Sequence, residues 1–175
     1  MPNWCFNKVT FTHSDASQIV RAVDAFNRSE LFAEFHPCPQ DLIDTVSDEQ
    51  QTITNVDKHG HADWYSWCLS NWGTKWDVDT HGDTVDQPDG NSVELWFDTA
   101  WSPPIQFYEQ MEKLGFNVDA YYYEPGMGVC GRYTDGDDDY YEIEGGAEWV
   151  QENIPGDIND MFSITDNMAD WEEED

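Results

Sequence analysis

The sequence predicts an α+β protein: an antiparallel sheet with helices packed on one face, plus an acidic C-terminal extension. Three observations lead there. Segments that alternate with period two interleave with segments whose apolar residues recur at helical spacing. Aromatics make up 15% of the 175 residues, with nine Trp, eight Tyr and nine Phe, which is enough to fill a core. The charge is lopsided: 37 acids face seven Lys and Arg, for a formal net charge of −30, and sixteen of those acids fall in a final 43-residue stretch with no Lys or Arg.

Residues 5–12 (CFNKVTFT) alternate and are β-rich, so they form a first strand. Ser14 offers an N-cap, and Ile19, Val20, Val23 and Phe26 give the stripe of a helix ending near Asn27. Phe35-His36-Pro37-Cys38-Pro39 reads as a loop, 40–46 as a short helical turn and 47–60 as a polar, mobile stretch. Trp64, Trp67, Cys68 and Leu69 cluster on a helix over 62–71, with Gly73 past its end. Residues 76–80 read as a strand, 81–91 as a turn region and 92–99 (SVELWFDT) as a strand. Pro103-Pro104 opens a helix carrying Ile105, Tyr108, Met111 and Leu114, stopped by Gly115. Two strands over 116–124 and 129–134 flank the turn at Pro125-Gly126-Met127-Gly128, and 140–144 extends the sheet. A short helix over 147–153 stops at Ile154-Pro155-Gly156. The order β-α-(α)-β-β-α-β-β matches a split β-α-β, ferredoxin-like arrangement. It divides the chain into a domain over 1–134, an acidic extension over 135–165 docked on it, and a frayed acidic tail over 166–175.

Four stretches carry a resemblance: Met1 to Asn7, Asn71-Trp72-Gly73-Thr74-Lys75-Trp76-Asp77, Thr99-Ala100-Trp101-Ser102-Pro103-Pro104, and Tyr123-Glu124-Pro125-Gly126-Met127-Gly128. Together they resemble the YubB-like proteins of plasmids and phages, which have a ferredoxin-like domain. The resemblance covers about residues 1–133 and implies that fold and a mobile-element setting. It implies no activity and carries over no catalytic residue. The acid-rich end lies outside it.

Composition excludes several function classes. An anionic chain is repelled by nucleic acid and by anionic lipid, so neither is expected as a direct partner. No long apolar run predicts a membrane span, and no leader is read at the N-terminus. Cys5, Cys38, Cys68 and Cys130 form no C-x-x-C pair and read as reduced thiols, which points to the cytoplasm. An EF-hand loop from Asp135 would place Tyr140 and Gly146 where Gly and Glu are required, so no metal or other cofactor is expected. His59-Gly60-His61 lacks a second ligand pair at zinc spacing. No motif supplies a nucleophile with its base, so no enzyme activity is expected.

Two sets of residues remain. Asp77, Asp79, Asp83 and Asp86 form one acidic row, and Asp135, Asp137, Asp138, Asp139, Glu142, Glu144, Glu148 and Glu152 form another. Trp72, Lys75 and Trp76 could stack a ligand ring, or the indoles could be core residues. The leading expectation is an acidic inhibitor that mimics nucleic-acid charge against a basic host protein, such as a nuclease or CRISPR effector. The alternatives are a module that sequesters a nucleotide signal and a salt-adapted protein without a specific partner.

Overall fold

A computed structural model of the protein describes residues 3–45, 49–79 and 84–174. Six strands form one sheet: β1 (Trp4–Thr12), β2 (Thr84–Asp89), β3 (Ser92–Ala100), β4 (Asn117–Glu124), β5 (Val129–Thr134) and β6 (Asp137–Glu142). Their order is β2-β3-β1-β4-β5-β6, and every neighbouring pair is antiparallel. The first four strands have ferredoxin-like topology, and β5 and β6 extend the β4 edge.

Strand alternation decides what each face buries. On β1, Cys5, Asn7, Val9 and Phe11 are buried, with Val9 lying between Leu95 of β3 and Ala120 of β4. Helices α1 (Ala16–Asn27) and α6 (Ile105–Lys113) cover this face, where Ile19, Phe26, Phe107 and Met111 join Val9 and Phe11 in one core. Burying Phe107 or Met111 contributes about 1.5–3 kcal/mol each. The short helices α2 (Leu31–Phe35), α3 (Gln40–Ile43), α4 (Glu49–His59) and α5 (Trp64–Asn71) close the long connection from α1 to β2, with Phe32, Leu42, Trp67 and Cys68 as anchors.

The other face is covered too. Tyr121, Tyr123 and Cys130 point away from α1 and α6 and form a second core with Val150, Ile154, Ile158 and Ile164. These come from α7 (Ala147–Asn153), α8 (Gly156–Phe162) and α9 (Ile164–Glu174). The expected single helical layer therefore holds up to β5, and the acid-rich end adds a second layer behind the sheet.

Several expected elements change. The cap of α1 is Asp15, whose carboxylate accepts the Ser17 N–H, rather than Ser14, and Val20 of its stripe is exposed. The polar stretch read as mobile contains α4, pinned by buried Asn55, whose amide donates to Thr45 Oγ1 and the Ala62 carbonyl. Residues 76–79 are irregular rather than a strand, and β2 falls in the expected turn region. Strand β6 begins three residues before the expected position. An Asp135-Gly136 turn explains this: both residues have positive φ, 51° and 82°, the conformation that a tight two-residue hairpin needs. Pro155 does not end the helical region. It lies at the N-cap of α8, where a missing N–H costs nothing. Ser163 at φ 50° then turns the chain into α9, in the region where fraying was expected.

Candidate functional site

The second acidic set lies along a rim made of the β5–β6 hairpin, on both faces of its outer strand, and of the segment that follows it. Strand β6 is an outer strand, hydrogen-bonded in register to β5 from Thr134↔Asp137 to Val129↔Glu142. Asp135, Asp137, Asp138, Asp139 and Glu142 are all exposed along this hairpin. Glu144, Glu148 and Glu152 are exposed on the following loop and α7. Among the described residues, no Lys, Arg or His forms an ion pair with any of these eight acids.

Five of the seven Lys and Arg form ion pairs elsewhere among the described residues. Lys8 pairs with Glu94, Arg21 and Arg28 with Glu34, and Lys58 with Asp41. Arg132 grips Asp119 through two parallel bonds of 2.9 and 3.1 Å and reaches Asp157 at 3.2 Å. That arginine ties β5 to α8 behind the sheet and leaves the carboxylates of β6 uncompensated.

The rim is held firmly from beneath. Tyr122 Oη donates to Asp138 Oδ1 at 2.8 Å, and burial raises the carboxyl pKa of Asp138 even though that bond opposes the shift. Glu112 on α6 accepts from Tyr133 Oη at 2.8 Å and from the Gly136 N–H at 3.1 Å, which fastens the hairpin turn to the helical layer. Gly131 gives Tyr122 room: a Cβ there would collide with Tyr122 Oη and with the Asp139 carbonyl. Tyr141, Ile143 and Trp149 pack against the second core, as expected for residues holding this end, while Tyr140 is exposed.

The first acidic row does not form. Asp77 turns inward, and its carboxylate accepts the backbone N–H groups of Phe32, Ala33 and Val78, each at 2.8 Å. Burial pushes its carboxyl pKa up to about 6, against the pull of those three bonds. It is a structural acid that caps α2. Asp79 and Asp86 are exposed, Asp86 on β2 opposite Glu94, while Asp83 lies outside the described residues. Without a strand over 76–79, Asp77 and Asp79 do not form the expected row on a strand face.

The aromatic set also divides. Trp72 is buried, 6% exposed, and its indole N–H donates to the His36 carbonyl at 2.8 Å, so no ligand stacks on it. Trp76 is 43% exposed and lies 6.4 Å from Trp4, itself 42% exposed, with the rings tilted by 36°. Lys75 Nζ sits 3.7 Å from the Trp76 ring centroid, a cation–π contact. Beside the two indoles opens a pocket of about 550 Å³, to which Asp77, Asp79 and Asp98 contribute. Its acids work against a nucleotide phosphate. Sequence reasoning missed Trp4 and Asp98, because only the β1–β3 register puts them on one face.

Hydrogen bonds join the segments that form this pocket. Ser102 Oγ donates to the Gly73 carbonyl at 2.6 Å, Thr74 Oγ1 to the Ala100 carbonyl at 3.1 Å, and Asn7 Nδ2 to Thr99 Oγ1 at 2.9 Å. Gly73, at φ 88°, lies so close to Gln106 that a Cβ would clash. The Tyr123-to-Gly128 stretch has its own explanation: buried Glu124 accepts the Gly126 and Met127 N–H groups at 2.8 and 2.7 Å and shapes the turn.

Among the described residues, no three His, Cys, Asp or Glu side chains are grouped to hold a metal ion. All four cysteines are free thiols, and burial raises the pKa of each. No helix is long and apolar enough to cross a membrane among the described residues.

A sequence model of the ferredoxin-like domain in Api92-like protein matches residues 71–174. The match runs from the Asn71–Asp77 segment through the acid-rich end, so that end lies inside the domain described by the family and not beyond it. The crystal structure of a protein Api92 from Yersinia pseudotuberculosis is similar over 83% of this chain and 99% of that one, at 13% identity and a TM-score of 0.46. No curated protein matches the sequence.

Proposed function

We propose a function from one premise: the chain belongs to the family defined by the ferredoxin-like domain of Api92-like proteins. The protein is a non-enzymatic acidic inhibitor that occupies the basic groove of a nucleic-acid-binding host protein. Its partner is a nuclease or CRISPR-type effector, met in the cytoplasm of a cell that hosts the mobile element. The resemblance to plasmid- and phage-borne YubB-like proteins supports that setting.

The observation that carries the reading is the β6 rim. Asp137, Asp138 and Asp139 follow one another on a registered outer strand and are exposed. A strand advances about 3.4 Å per residue, and one DNA strand carries a phosphate per about 3.4 Å of axis. Successive side chains alternate faces, so Asp137 and Asp139 stand about 6.8 Å apart on one face of β6, the spacing of every second phosphate along a strand, while Asp138 and Glu142 lie on the other face. The hydrogen bonds from Tyr122 and Tyr133 and the packing of Trp149 hold the rim in shape. A fixed array loses little conformational freedom on binding.

The test is competition at physiological salt against a panel of restriction nucleases and CRISPR effectors bound to labelled duplex DNA. The expected result is displacement by the protein and weaker displacement by the variant Asp137→Asn/Asp139→Asn/Glu142→Gln/Glu144→Gln. Failure to displace DNA from any member overturns the reading. Unfolding of the protein at low salt would instead assign its acidity to salt adaptation.

A further inference from the structure

We propose that the pocket beside Trp4 and Trp76 is a binding site for a guanidinium group. Trp4 on β1 stands opposite Ala100 on β3, and Phe6 opposite Asp98, so Trp4 and Asp98 share one sheet face. The C-terminal helices cover that face as far as Phe162, which touches Trp96 and Tyr123. The next residues of β3 on this face, Asp98 and Ala100, line the open pocket, with Trp4, Trp76 and Asp79 as further walls.

The walls select the ligand. Two exposed indoles offer π faces, and a carboxylate stands beside them. Asp77 is occupied by three backbone N–H groups, whereas Asp98 is exposed and forms no ion pair with a described residue. A phosphate is repelled here, and an apolar ligand leaves Asp98 uncompensated. A guanidinium suits both surfaces: it is planar and weakly hydrated, stacks on indole and forks onto carboxylate. The ring of Trp76 already holds one cation, Lys75, which lines the neighbouring cavity rather than this one. The volume of about 550 Å³ takes an entire arginine residue.

This site is separate from the acidic rim, since β1 stands three strands from β6 in the sheet. The probe is N-acetyl-arginine amide, titrated by calorimetry into the full chain at physiological salt, with the indole N–H resonances of Trp4 and Trp76 reporting location. The neutral isostere N-acetyl-citrulline amide is the reference. The arginine derivative should bind at least about tenfold more tightly, the scale of a lost charge-assisted pair plus a cation–π contact. Asp98→Asn, an isosteric surface change, should weaken it about tenfold, and Trp76→Leu should weaken it in the same direction. The rim variant with Asp137, Asp139, Glu142 and Glu144 neutralised should bind arginine unchanged, so failure here and failure of the proposed function are read separately. A peptide carrying one arginine distinguishes the sources. Tighter binding than the amide assigns the site to a side chain of a partner protein, and equal binding assigns it to a free guanidinium compound. Equal affinity for citrulline, unmoved Trp4 and Trp76 resonances, or no saturation would overturn the proposal.

Discussion

Asp77 caps a helix that precedes it by 45 positions: its Oδ1 accepts the Phe32 N–H at 2.8 Å. Its Oδ2 accepts the Ala33 N–H at 2.8 Å. Helix α2 begins at Leu31, after Glu30, which gives no side-chain cap of its own. A distant carboxylate supplies what the local sequence lacks. Asp77→Ala should therefore destabilise the protein by about 2–3 kcal/mol, the cost of stranding capped and partly buried donors, measured by denaturant unfolding.

The same residue makes stability depend on pH. Its carboxyl pKa is raised from 3.8 to about 6 in the folded protein, so between those values the native state holds the proton that the unfolded chain has released. Its contribution is fully present below about pH 4 and is lost as pH rises through about 6. The raised carboxyls of Asp98 and Asp138 act in the same direction. Thermal unfolding of the wild type at a series of pH values should show stability rising from pH 7 to pH 5, with a smaller rise in Asp77→Ala.

Gly131→Ala leaves every charge in place and disturbs the rim. A methyl at that position meets Tyr122 Oη and the Asp139 carbonyl of β6. Overpacking of this kind costs about 1–3 kcal/mol, and more where backbone must shift. Hydrogen exchange should report faster opening of β6, and competition with DNA should weaken at unchanged net charge. Unaltered competition would show that charge alone, without a fixed strand, suffices.

Arg132→Ala should free α8 from β5. Two carboxylates, Asp119 and Asp157, lose their shared cation, and Tyr121 loses the guanidinium 4.7 Å from its ring. The arginine is a third exposed, so the cost is about 1 kcal/mol at physiological salt and grows as salt is lowered. Melting curves at two ionic strengths check both parts.

Displacement of DNA by the rim should weaken steeply as salt rises, because each matched charge acts through screened Coulomb attraction. Plotting the inhibition constant against salt should give a shallower slope for the variant neutralised at Asp137, Asp139, Glu142 and Glu144. A slope identical to wild type would place the contact elsewhere.

Periodicity alone determined the central architecture. Alternation in 5–12 and 92–99, the stripes of α1 and α6 and the turn at Gly126 were each legible, because they are local patterns with local physical causes. So was the anchoring of the acid-rich end by Tyr141, Trp149, Val150 and Ile154. Helix α4 was hidden because the residue it buries is a polar amide, Asn55, and not an apolar stripe. The hairpin into β6 carried its signal in Asp135-Gly136, which the surrounding run of acids obscured. The inward turn of Asp77, the burial of Trp72 and the meeting of Trp4 with Asp98 depend on partners many positions away in the chain. Sequence spacing does not encode those distances. Strand register and helix packing decide them, so the acidity was visible from composition, while the tertiary structure alone separated acids that cap helices from acids that face solvent.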